Sequence, residues 1–261
     1  MTLVIDVGNT ARKWALTDGF GMPGPVSTEV HRGTDDLAAR LGADWHALAL
    51  SGPALACSVA AREVRDAVER AAASCGLSVD WLEAEAQHRG RVVLSNGYRT
   101  PTQLGADRWH GMLGACLRRP GESFVLIAAG TATTIDCVAA NEQGARFIGG
   151  CIAPGAHMML EALAQRTADL PHARGTAVDF PDNTDDAIAT GVVDAQAGLA
   201  SRIIERFARK LGRMPSVLVS GGDATLVADG LHASGFDLAI EHNLVLAGLG
   251  LRAPPAGSPV H

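Results

Sequence analysis

The sequence predicts an α/β protein assembled from two similar halves that face a cleft. Two observations carry this expectation. Apolar strand-like runs alternate with helix-patterned segments along most of the chain. One hairpin pattern also occurs twice, as VIDVGNTARKWAL at 4–16 and LIAAGTATTIDCV at 126–138. In both copies an apolar strand meets a turn containing Gly and Thr and a second strand follows. Each copy leads a mixed α/β stretch, which puts a domain over 1–115, a second over 116–252 and a tail over 253–261.

Residues 2–7 (TLVIDV) read as a buried strand, Gly8, Asn9 and Thr10 as a turn, and 12–17 (RKWALT) as the returning strand. The glycines and prolines of 19–25 form a loop. A helix is expected from Thr34, ending at Gly42, and a strand over 47–52 (ALALSG), stopped by Gly52 and Pro53. Over 60–74, Val64, Ala67, Val68 and Ala71 fall at helical spacing and Gly76 supplies the stop. SVDWLEA is a further strand, and 95–105 is an exposed loop. A helix over 107–119, strands over 124–128, 133–139 and 145–153, and a helix opened by Pro154 and Gly155 come next. Residues 169–184 form a long connection to a helix over 185–211, with a bend expected at Gly198. SVLVSGGD at 216–223 reads as a strand and a Gly-rich turn, FDLAI as a short strand, and 244–251 as the last helix. The prolines of the tail predict fraying.

Composition narrows the chemistry. The 261 residues are 47% hydrophobic and 19% charged, enough to bury a core and too apolar for a disordered chain. With a net charge of −6 and no long basic run, nucleic acid and anionic membranes are not expected partners. Five cysteines without CxxC spacing argue against a disulfide framework or a zinc site; Cys116, Cys137 and Cys151 read as small buried hydrophobes. No basic leader precedes the first apolar run, Asp6 interrupts it, and no run reaches the roughly 20 residues of a membrane span. A cytoplasmic protein is therefore expected.

The chemical signal is strongest in DVGNT at 6–10. Gly8 allows a tight turn and close approach to an anion, Asn9 and Thr10 offer donors to phosphate oxygens, and Lys13 or Arg12 adds a point charge. Asp6, at the mouth of a buried strand, suits a magnesium ion held directly or through water. The second hairpin's GTATT (130–134) can clamp a polyphosphate from the other side, and small residues in SGGD (220–223) let an adenine ring lie against the backbone. Neither the P-loop pattern nor a Rossmann fingerprint is present. In GADRW at 105–109, Asp107 lies at a helix start and suits a base that accepts the proton of an acceptor hydroxyl. Arg108 can hold a carboxylate or stabilise the migrating phosphoryl group. The plain alternative is an N-cap Asp in a solvated Asp–Arg pair. His110, His157 and His172 are assigned no role, and Met158 and Met159 read as core-facing or dimer-facing positions.

The ordered set DVGNTARKWAL, GADRW, GTATTID, GGCIAPGAHMMLEAL, NTDDAIATG and SGGD resembles the type III pantothenate kinases. The resemblance implies the duplicated ribonuclease-H-like fold of actin, sugar kinases and heat-shock chaperones. It implies ATP with Mg2+ as cofactor, pantothenate as acceptor and 4′-phosphopantothenate, on the route to coenzyme A, as product. By the same resemblance Asp6, Val7, Gly8, Asn9, Thr10, Ala11, Arg12 and Lys13 would serve the ATP phosphates, with Asp6 toward the metal. Gly130, Thr131, Ala132 and Thr133 would hold the nucleotide from the second hairpin, and Gly221 and Gly222 from the third turn. Asp107 would be the general base, and Tyr98, Gly105, Ala106 and Arg108 would line the acceptor site. Thr184 would reach it from the other subunit of a homodimer. One position departs from the family pattern: Ala128 stands where many members carry the Asp that helps bind a monovalent cation (K+ or NH4+). Two other readings remain at this stage: an actin-like kinase for another small alcohol, and a nucleotide-binding regulator without catalysis.

Overall fold

The computed structural model describes residues 1–30, 36–48, 50, 52–166 and 175–254. In chain order the elements are β1 (Thr2–Val7), β2 (Ala11–Thr17), β3 (Ser27–Val30), α1 (Leu37–His46), β4 (Ala54–Ser58), α2 (Arg62–Ser74), β5 (Val79–Trp81), β6 (Gln87–Arg89) and β7 (Val93–Ser95). After a 3-10 turn at Pro101–Gln103 come α3 (Ala106–Arg118), β8 (Phe124–Ala129), β9 (Ala132–Asn141), β10 (Gly144–Pro154), α4 (Ala156–Arg166) and α5 (Thr184–Leu211). β11 (Ser216–Ser220), α6 (Ala224–Ala233), β12 (Ala239–Ile240) and α7 (Leu244–Gly250) are the remaining described elements.

Two compact units emerge. The first holds Met1–Gly121, Glu142–Ala145 and 243–254; the second holds Glu122–Asn141 and Arg146–His242. The sequence reading had instead carried the second domain through to 252. In the first unit the strand order is β3-β2-β1-β4-β5. In the second, β10-β9-β8-β11-β12 repeats that order strand for strand. In each, the leading hairpin is antiparallel and the next two strands run parallel to its first strand. The duplication inferred from the two hairpins therefore extends to a shared order of five strands.

Alternation along β1 divides the first sheet into two faces. Leu3, Ile5, Val7 and Trp14 meet α1 and α2 on one face, where Trp45 packs edge-on to Trp14 at 6.1 Å. Such a ring pair adds about 1 kcal/mol beyond the area it buries. Val4, Ala15, Leu55 and Cys57 meet α3 and α7 on the other face through Ala106, Leu246 and Leu249. Helices α3 and α7 cross with backbone in contact: a Cβ on Gly114 would lie 2.1 Å from the Leu244 carbonyl oxygen, and one on Gly248 would lie 1.9 Å from that of His110. In the second unit, β8, β9 and β11 pack against α5 and α6 through residues such as Ile127, Phe207 and Val227.

The local readings at 60–74, 107–119, 145–153 and 216–220 match elements of the structure within a few residues. Two readings need correction. Helix α1 passes through Gly42 and continues to His46. Gly42 is a contact glycine, since a Cβ there would sit 2.8 Å from Ser74 Oγ, and it does not stop the helix. The strand expected over 47–52 is absent from its described residues; β4 is the run after Pro53. Strands β3, β6 and β7 and helix α6 were not anticipated. The expected helix start at Thr34, parts of the 47–52 and 169–184 segments, and the tail prolines Pro255 and Pro259 lie outside the described residues, as does His172.

Candidate active site

In the first unit the C-terminal ends of the parallel strands β1 and β4 and the N-terminus of α3 bring chemistry together. Cross-strand register decides which residues take part. Asp6 pairs with Lys13 across the β1–β2 hairpin and with Cys57 across β1–β4, so these three share the face turned to α3 and α7. The Cys57 thiol donates to Asp6 Oδ1 at 3.9 Å. Burial raises the Asp6 carboxyl to about 7, and the nearby Asp107 carboxylate adds to the rise; Lys13 and the Cys57 thiol oppose it. Burial likewise raises Asp107, against the opposing pull of the Arg108 N–H and guanidinium. The same burial and both carboxylates push the Cys57 thiol well above the usual thiol range. Asp6, Cys57 and Asp107 thus form one electrostatically coupled cluster.

Arg12 is not brought to this cluster. It pairs with Val7, on the face packed against α1 and α2, and is 0% exposed there. Of these two cations Lys13 is the one on the Asp6 face. The turn itself is tight: the Gly8 N–H donates to the Ala11 carbonyl at 3.0 Å, and a Cβ on Gly8 would lie 3.0 Å from that oxygen. Asn9 and Thr10 are exposed at its tip.

Gly105 is the N-cap of α3, and its missing Cβ leaves space for the carboxylate of Asp107, whose Oδ1 would be 2.7 Å from it. Arg108 is buried and its Nη1 donates to the Tyr98 hydroxyl at 3.1 Å. The loop that carries Tyr98 is held by Asn96, which donates to the Glu85 and Pro101 carbonyls and accepts from the Tyr98 N–H. Neither Asn96 nor Cys57 was singled out from sequence. Asn96 lay in a stretch read only as a polar loop, and Cys57 among scattered thiols. His110, one turn beyond Asp107, donates from Nδ1 to the Ala106 carbonyl, and burial lowers its pKa to about 4.

In the second unit three glycine turns meet at the end of β8. The Gly130 N–H donates to the Ala132 carbonyl, and the Gly155 N–H to that of Thr131. The Asp223 N–H, ahead of α6, donates to the Ala129 carbonyl. The fit leaves no room for side chains: a Cβ on Gly155 would be 2.0 Å from the Gly130 oxygen, and one on Gly221, whose φ is +107°, would be 1.9 Å from that of Ala129. Thr131, Gly221 and Gly222 are exposed, Ala132 is half-buried, and Thr133 points inward at 1% exposure. Exposed His157 Nε2 lies 3.3 Å from Asp223 Oδ1. At the family's cation position, Ala128 pairs with Thr134 and Ser220, and the buried Thr134 Oγ1 has no hydrogen-bond partner.

Helix α5 starts at Thr184, and its N-cap Asn183 accepts the Asp186 N–H at 3.0 Å while its amide donates to Asp186 Oδ2. Thr184 is exposed. It borders an apolar groove of about 1130 Å3 in the second unit, lined by α4 and α5 through Met158, Met159, Leu163 and Ile188.

Two sheets that share one five-strand order, each with a glycine turn after the first strand of that order, are the mark of the actin-like ATPase and sugar-kinase fold. A solved protein of Sinorhizobium meliloti described as a 2-dehydro-3-deoxygalactonokinase superposes with a TM-score of 0.53 at 16% identity, covering 97% of each chain. The sequence model for type III pantothenate kinase matches residues 2–206. A type III pantothenate kinase of Cupriavidus pinatubonensis is 42% identical over 274 residues, covering 95% of this chain and 96% of that protein. Another, from Cupriavidus taiwanensis, is 40% identical over 282 residues and 95% of both. The chain belongs to the type III pantothenate kinase family, and as a kinase it uses ATP and a divalent metal. Among the described residues no helix is long and apolar enough to cross a membrane.

Proposed function

We propose that the chain transfers the γ-phosphoryl group of ATP to the 4′-hydroxyl of pantothenate, giving 4′-phosphopantothenate and ADP at the start of coenzyme A synthesis. The observation that supports this most directly is the coupling of Asp6 with Asp107 in one unit, which joins a phosphate turn to a base. Asp107 accepts the hydroxyl proton as the oxygen attacks phosphorus. Its raised pKa moves it toward neutrality, where a general base works best. Lys13 and the N–H groups of the Val7–Ala11 turn hold phosphate oxygens. Gly130, Thr131 and Ala132 hold the nucleotide from the second unit, and Gly221 and Gly222 face the adenine. Arg108, fixed by Tyr98, binds the pantothenate carboxylate, with Gly105 and Ala106 shaping the pocket. Thr133, being buried, acts through packing.

Asp6 fits a magnesium ion. No group of three metal-ligating side chains occurs among the described residues. Mg2+ commonly takes one carboxylate and completes its shell with phosphate oxygens and water. When bound, it neutralises charge on the transferring phosphates. The monovalent-cation site does not fit in the same way, because Ala128 supplies no carboxylate and only the Thr134 hydroxyl is left unpartnered. Turnover is therefore expected to persist when potassium is replaced by a bulky organic cation; complete loss would reject this.

We also place the enzyme in the cytoplasm as a homodimer. The α4–α5 groove, with Met158 43% and Leu163 37% exposed, would be covered by a second copy and would bring Thr184 to the partner's acceptor site. The decisive assay is incubation with pantothenate, Mg2+ and ATP, with mass detection of the phosphorylated product. Asp107→Asn should abolish turnover while ATP still binds. Surviving turnover would remove Asp107 from the role of base, and an inactive wild-type chain that binds ATP would point to a non-catalytic regulator.

A further inference from the structure

The cluster at the end of β1 contains one group that the mechanism above leaves unused, the thiol of Cys57. We propose that Cys57 is a positioning residue for nucleotide binding: its thiol holds the Asp6 carboxylate in the orientation that receives metal-bound ATP. The inference rests on the reading of Asp6 as the carboxylate facing the ATP phosphates.

The geometry is specific. Cys57 stands opposite Asp6 in the parallel β1–β4 register, so both side chains leave the sheet side by side on the α3 face. Sγ lies 3.9 Å from Oδ1, within reach for a sulfur donor. Around it, Val4, Leu55, Ala106 and Leu249 form an apolar wall, and Cys57 is only 1% exposed. That wall prevents the thiol from turning toward water. The other nearby cation on the strand pair, Arg12, faces away, and Lys13 is placed to meet phosphate. In this contact the thiol hydrogen is directed at Oδ1. A donor fixed to one carboxylate oxygen leaves the second oxygen free, and strand geometry sets the direction in which that oxygen points.

The test compares Cys57→Ala with Cys57→Ser. Ala removes the donor and leaves a small apolar side chain in an apolar wall; Ser keeps a donor of similar size. Binding of Mg2+ with a non-hydrolysable ATP analogue is measured by calorimetry, together with kinetics for both substrates and urea unfolding. Cys57→Ala should weaken analogue binding and raise the KM for ATP about three- to tenfold, the range expected for the loss of one ordinary hydrogen bond, since a thiol is a weak donor. The KM for pantothenate should stay within error, and the unfolding midpoint should fall only by the modest amount a small buried truncation costs. Cys57→Ser should restore binding close to wild type. Unchanged analogue binding in Cys57→Ala overturns the proposal, and so does a Ser variant as impaired as the Ala variant. If the wild-type chain binds the analogue but fails to phosphorylate pantothenate, the acceptor assignment falls while the binding comparison still judges Cys57.

Discussion

Replacing Asp6 by Asn should change how the ligand-free protein responds to pH. The Asp6 carboxyl titrates at about 7 in the folded chain and at 3.8 when free of it. The folded state therefore holds this proton more tightly, and between those two values it binds more protons than the unfolded state. Stability must then fall as pH rises through the window and level off above it. Each pH unit inside the window is worth about 1.4 kcal/mol. From about pH 5 to about pH 8 the loss comes to about 2 kcal/mol, after allowance for the part of Asp6 that faces water. Asn has nearly the same shape and no proton to lose. Asp107 is present in both proteins but is coupled to Asp6, so the difference reports the titration of the pair. Urea unfolding at several pH values, without nucleotide or metal, measures the gap. The variant should gain on wild type by about 2 kcal/mol as pH rises, whatever the offset at the acid end. A gap that stays constant with pH would refute the assignment of Asp6 as a carboxylate held in a buried site.

Other consequences are simpler to measure. Gly221→Ala forces a Cβ to within 1.9 Å of the Ala129 oxygen at a φ of +107°. It should destabilise the protein by about 2 kcal/mol or more in urea unfolding and weaken ATP binding in parallel. Tyr98→Phe removes the acceptor for Arg108 Nη1; the KM for pantothenate should rise severalfold while the KM for ATP holds.

What could be read from sequence followed from patterns that are local. An apolar strand ending in a glycine turn is visible without neighbours, so both hairpins and most helices were found in the sequence. Where the answer depends on a partner, the sequence was silent. Gly42 looks like a stop signal until α2 is seen pressed against it, and ALALSG and ALACS are equally apolar until the sheet selects the second. Strands β6 and β7 have only three residues each and no periodicity to detect. The site shows the same division. Asp6, Gly8 and Asp107 were apparent from their motifs, but the choice of Lys13 over Arg12 required the β1–β2 register. The place of Cys57 required the β1–β4 register.

Helix α7 is the last described element in chain order, yet it belongs with the first. The second unit is almost one continuous stretch of chain, so it can begin to fold while the ribosome is still adding residues beyond 242. The first unit cannot finish then: one face of its sheet, and the glycine side of α3, wait uncovered for a segment near the C-terminus. Premature termination of synthesis before 243 would therefore damage the half of the protein that was translated earliest.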